Sequence, residues 1–149
     1  MAKNKFLVYT LIVAVLSVLF GSCKKESPLD AVPKISFLKM YPDTVKAFAD
    51  SIVVEISYED GDGDIGENNA YSRNLFLVDQ RNQLEYGFRV GRIVADGTPA
   101  IRGTLKVVMP YINLVSAGGT ETTSFTVRLE DQSGNKSNVV TTSVLTIRE

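Results

Sequence analysis

The chain has 149 residues, with 16 Lys or Arg against 17 Asp or Glu, a net charge of −1 and no histidine. That balance speaks against nucleic-acid binding, which usually shows as a basic patch, and the missing imidazole removes the commonest general base and transition-metal ligand. A single cysteine excludes an intramolecular disulfide framework, so the fold must stand on its core alone.

The chain opens with Lys3 and Lys5, then an uncharged run from Phe6 to Phe20, then Gly21-Ser22-Cys23. A basic start, a short apolar run and small residues at its end make a secretory signal helix. The alternative is a transmembrane helix, but crossing the ~30 Å hydrocarbon core takes about 20 apolar residues. This run is shorter, and the polar Lys24-Lys25-Glu26-Ser27-Pro28 follows it. With cysteine directly behind the small residues, the segment resembles the bacterial lipoprotein signal. The resemblance implies cleavage after Ser22, lipidation of Cys23, and attachment in the cell envelope, at the outer membrane, through the lipid. Residues 1–22 are then the signal peptide, 23–33 a lipidated tether and 34–149 one domain. Losing Lys3 and Lys5 leaves 14 bases against 17 acids, a mature net charge of −3.

Beyond Pro33 the pattern is β. Lys34 to Tyr41 reads as a first strand, stopped by Pro42-Asp43. Ser51 to Tyr58 alternates Ile52, Val54, Ile56 and Tyr58 with Val53, Glu55 and Ser57, the period of a half-buried strand. Asn74 to Asp79 is followed by a turn at Gln80-Arg81-Asn82 and by Leu84 to Val94. Asp96-Gly97-Thr98-Pro99 is a second turn. Ile101 to Met109 ends at Pro110, and a short helical turn is expected near Tyr111 to Val115. Ser124 to Glu130 alternates again, Asp131 to Asn135 is a turn, and Val139 to Ile147 closes the chain. About seven strands separated by turn signals predict an all-β fold, an antiparallel sandwich like immunoglobulin or fibronectin domains.

Between the second and third strands lies Glu59-Asp60-Gly61-Asp62-Gly63-Asp64-Ile65-Gly66-Glu67-Asn68-Asn69. Five carboxylates fall within residues 59–67, and no Lys or Arg occurs between Lys46 and Arg73. Crowded carboxylates raise one another's pKa, and a divalent cation reverses that cost. Calcium accepts six to eight oxygens, so Asp60, Asp62, Asp64 and Glu67 are candidate calcium ligands. Asp131 joins them if its turn shares the same end of the sandwich. An EF-hand does not fit: Ile65 stands where its sharp turn needs Gly, and Tyr71 where it needs a bidentate Glu. A metal-free acidic turn, with Ile65 plugged into the core, is the other reading of the same residues, since Asp and Gly are also ordinary turn formers.

The Ser-Cys-Lys-Lys start, Tyr58 to Gly66, Asn74-Leu75-Phe76-Leu77 and Leu129 to Asn138 together resemble small immunoglobulin-like lipoproteins of Bacteroidota. The resemblance covers most of the chain and implies no assigned activity. No catalytic spacing is evident among Ser, Lys and the carboxylates, so an enzyme is not expected. The expected function is non-catalytic: a membrane-anchored sandwich presenting loops or an edge strand to a protein partner, with calcium at the acidic loop. The alternative is a carbohydrate-binding accessory lipoprotein of a glycan-uptake system, using Tyr41, Tyr71, Tyr86, Phe88 or Tyr111 as sugar platforms.

Overall fold

The computed structural model describes residues 29–93 and 99–149. The expected signal helix, Cys23, most of the tether and most of the turn at 96–99 lie outside the described residues. Within them the fold is all-β and contains no helix.

Ten strands form: β1 (Lys34–Tyr41), β2 (Thr44–Lys46), β3 (Ile52–Asp60), β4 (Leu75–Asp79), β5 (Glu85–Phe88), β6 (Ile101–Met109), β7 (Thr120–Thr123), β8 (Phe125–Leu129), β9 (Val140–Thr141) and β10 (Leu145–Arg148). Eight of them fall on the seven expected runs, the last run being broken into β9 and β10; β2 and β7 lie outside those runs. One layer is β1-β3-β6, antiparallel throughout. The other consists of two blocks, β2-β10-β7 and β5-β4-β8-β9. These blocks are joined where β7 gives way to β8 at Ser124. There the Phe125 N–H donates to Thr142 Oγ1, and the Thr142 N–H donates back to the Phe125 carbonyl, both at 2.9 Å. The Tyr41–Pro42 peptide is cis, and here the chain steps from the first layer to the second, where β2 pairs in parallel with β10.

The core sits between the layers. Ile52, Val54, Ile56 and Tyr58 of β3 face inward, as their alternation predicts, and meet Leu75, Leu77, Phe125, Val127, Leu129, Leu145 and Ile147. Fully burying one such aliphatic side chain contributes roughly 1.5–3 kcal/mol, which is how a chain of this size does without a disulfide.

Three local expectations need correction. The helical turn at Tyr111 to Val115 is absent; the chain there has no regular structure and bends from Val115 onward. Ile112 is buried and its carbonyl accepts the Phe48 N–H at 3.0 Å. The run from Leu84 pairs only over Glu85–Phe88, and the last run is two short strands separated by residues 142–144.

Candidate metal centre

β3 delivers Asp60 to the end of the sandwich, where its side chain is 0% exposed. The acidic loop then folds back. Gly63 and Gly66 have φ of 73° and 76°, and a Cβ at either would collide with the carbonyl oxygen of Pro99 or Gly91. The glycines are thus required by both backbone angle and space. Ile65 between them is fully buried in the core and pins the loop. The turn after β8 approaches from the other layer. Its Gln132 donates N–H to the Asp64 carbonyl at 3.2 Å and Nε2–H to the Gly66 carbonyl at 2.6 Å.

These contacts bring Asp60, Asp64 and Asp131 together, with one carboxylate oxygen of each within 4.8 Å of the others. Asp60 Oδ2 accepts the Asp64 N–H at 3.0 Å. Asp64 Oδ2 accepts the Ser133 N–H at 3.0 Å and its hydroxyl at 2.7 Å. Asp131 accepts the Asn135 N–H at 2.7 Å and Nδ2–H at 2.9 Å. Asp60 Oδ1 and Asp64 Oδ1 are buried with no hydrogen-bond partner. An unpaired buried carboxylate oxygen is costly. Burial, and then the negative charges of Asp62, Asp64 and Asp131, push the Asp60 carboxyl up to about 6, against the opposing pull of the Asp64 N–H. Such a trio could hold a metal ion, whose charge would remove both the repulsion and the unmet acceptors.

The other proposed ligands lie outside the trio. Asp62 is exposed and acts on Asp60 through its charge. Glu67 is half-buried; its N–H donates to the Val90 carbonyl and its own carbonyl accepts from Arg89. The carbonyls of Asn68 and Asn69 are likewise turned to Arg89.

The aromatic candidates also separate. Tyr86, Phe88 and Tyr111 line one cavity of about 350 Å³ with Glu85, Met109 and Pro110. Tyr41 donates its hydroxyl to Glu55, and Tyr71 is 90% exposed. A buried network around Asp79, Arg81, Thr123 and Glu121 has no signal in the sequence, because its members come from a strand end, a turn and a strand that local pattern does not reveal. No protein-family model, curated protein or solved structure matches this chain.

Proposed function

We propose that this chain is a membrane-tethered, non-catalytic sandwich that presents loops and an open sheet edge to a protein partner, with calcium fastening its acidic end. The observation that carries the reading is the Asp60–Asp64–Asp131 trio. Asp60 and Asp131 are buried and Asp64 half-buried; the group is joined through backbone and Ser133 and shares one acidic environment. Acid–base catalysis needs two groups whose surroundings separate their pKa values; a trio of this kind suits a structural ion instead. All-oxygen, anionic ligation favours a hard cation, and calcium tolerates the irregular geometry of two loops better than magnesium does.

The end that carries the trio is also where the chain leaves for its N-terminus, since the Gly61 N–H donates to the Asp30 carbonyl at 2.8 Å. Five residues lie between Cys23 and Leu29, so the span between them is at most roughly 20 Å. A lipidated Cys23 therefore keeps the acidic end toward the membrane and leaves the flanks of the sandwich accessible. Cys23→Ser is expected to leave the signal segment attached and the sulfur without acyl chains, read as intact mass; a mature-length, membrane-bound product would overturn lipidation at this residue.

The display reading is tested with a photoreactive amino acid placed singly at exposed positions, Asn68 and Tyr71 on loops and Val108 on β6. Illumination of intact cells is expected to give a discrete protein adduct from at least one position. Absence of adducts at all of them would sink the reading. The cavity of Tyr86, Phe88 and Tyr111 supports the carbohydrate alternative; selective binding on a glycan array, abolished by Tyr86→Ala, would favour it.

A further inference from the structure

Gly87 stands inside β5, where a glycine weakens a strand. Its neighbour explains it: a Cβ at 87 would meet Cβ and Cγ of Arg73 at 3.2 and 3.3 Å, so the arginine stem lies against the strand. The register sets Phe76 beside Gly87 and Arg128 beside Phe76, on the outer face of this sheet. The Arg128 guanidinium lies 4.4 Å from the Phe76 ring centre. Arg89 follows directly on β5 and is exposed. These three arginines differ in what they meet. Arg128 takes two acids, Glu85 at 3.4 Å and Glu130 at 3.2 Å. Arg73 donates from Nη1 to the Ser72 carbonyl at 2.7 Å. Arg89 donates to the carbonyls of Asn69 at 3.0 Å, Glu67 at 3.2 Å and Asn68 at 3.5 Å. Among the described residues neither Arg73 nor Arg89 pairs with a carboxylate. A guanidinium is a planar fork of donors that matches a carboxylate, and both forks keep donors that no protein atom takes up.

The segment between these arginines is held firmly. The Tyr71 N–H donates to Asn69 Oδ1 at 3.0 Å and the Ser72 N–H to the Asn69 carbonyl at 3.3 Å. Behind them the Asn74 side chain bonds the Val90 N–H at 2.7 Å and the Val90 carbonyl at 3.2 Å. On this fixed segment Tyr71 is 90% exposed. Tyrosine and arginine are the side chains that carry most of the energy of protein interfaces, and a ring presented on an ordered loop loses little freedom when it docks. We propose that Tyr71, Arg73 and Arg89 form the surface on which an acidic segment of a partner protein docks. Its carboxylates take the unused guanidinium donors and its apolar atoms cover the Tyr71 ring. Sites for small ligands are concave, whereas a ring this exposed stands proud of the surface, which favours a protein over an acidic sugar. The proposal rests on the display reading and narrows it to one loop and the strand face beside it.

The first probe is fluorescent octaglutamate, added at low salt to the full chain in neutral detergent. Arg73→Glu is expected to weaken its binding about tenfold or more with an unchanged melting curve, since Arg73 bonds only the carbonyl beside it. Arg148→Glu, an exposed reversal of the same charge on β10, should weaken it far less. No binding of octaglutamate, or equal losses in the two variants, overturns the proposal. So does tighter binding of an oligogalacturonate of equal charge, which would make the occupant a sugar. The second probe is the photoreactive residue at Asn68 in intact cells. Its protein adduct is expected to fall about tenfold when Arg73→Glu is added and several-fold with Tyr71→Ser. An adduct of twice the chain's mass would make the occupant a second copy and overturn the partner. Adducts from Val108 alone, or an Asn68 adduct unchanged by Arg73→Glu, would sink this surface while leaving the display reading intact; no adduct anywhere would sink both.

Discussion

Saturating calcium is expected to raise the melting temperature of the chain from residue 24 onward by about 5 to 10 °C over the same protein in chelator. An ion that binds only the folded state contributes about 2.7 kcal/mol at 100 times its dissociation constant, and a domain of this length turns that into a change in melting temperature of this size. Without metal, Asp60 makes the pH dependence run against habit. Its carboxyl is raised from 3.8 to about 6 in the fold, so the folded state holds that proton more tightly than the unfolded chain does. The group's contribution is therefore most favourable below pH 4, declines as pH rises from there to about 6, and is flat above 7. The distance between those two values bounds the decline at about 3 kcal/mol. Asp60→Asn should consequently stabilise the metal-free domain at pH 7, because an amide oxygen can still accept the Asp64 N–H while the buried charge is gone. The same substitution should erase the stabilisation by calcium. Superimposable melting curves in calcium and chelator would rule against the ion. A calcium effect that persists in Asp60→Asn would move the ion elsewhere.

β3 was legible because its burial alternates with the side chains, and the turn at Asp131 because Gly134 sits at φ 84° among turn-forming neighbours. The meeting of that turn with the acidic loop also followed from sandwich geometry. Which carboxylates meet did not. Asp62 stands between two glycines, whereas Asp64 directly precedes Ile65, which enters the core; Asp64 is half-buried with it and Asp62 is left in solvent. β2 and β7 were illegible for another reason. Thr44-Val45-Lys46 and Thr120-Glu121-Thr122-Thr123 lack a pattern of their own and exist as strands because β10 pairs with both. The failed helical turn has a similar cause. The Val115 and Ser116 N–H groups donate to the Glu121 carboxylate, a partner that local spacing cannot reveal.

Asp79→Ala is expected to cost more than any substitution in the acidic loop, about 3 to 5 kcal/mol, or roughly 10 to 20 °C in melting temperature. Asp79 is 0% exposed and sits at the end of β4. It accepts Arg81 Nη2–H at 2.6 Å, the Arg81 backbone N–H at 3.0 Å and the Thr123 hydroxyl at 2.7 Å. Arg81 in turn reaches Glu121 and the Asn113 carbonyl, so one guanidinium links the β4–β5 turn, β7 and the segment before it. Burial alone would raise the Asp79 carboxyl, but the bonds from Arg81 and Thr123 outweigh it and hold it below the usual range. Glu121 falls to about 2, chiefly through the Ser116 hydroxyl and the N–H groups of Val115 and Ser116. Both groups are depressed in the fold, so their stabilisation is complete above the unfolded carboxylate values near 4 and is lost as pH falls toward 2. Alanine at 79 removes the carboxylate and leaves a largely buried Arg81 with Glu121 as its remaining anion; Glu121→Gln leaves the buried Asp79–Arg81 pair intact. The first variant should therefore melt well below the second, and its stability should depend less on pH between 4 and 2. If Asp79→Ala melted within a few degrees of the parent, the guanidinium would have found water or another partner, and the network would be a surface feature with little hold on the fold.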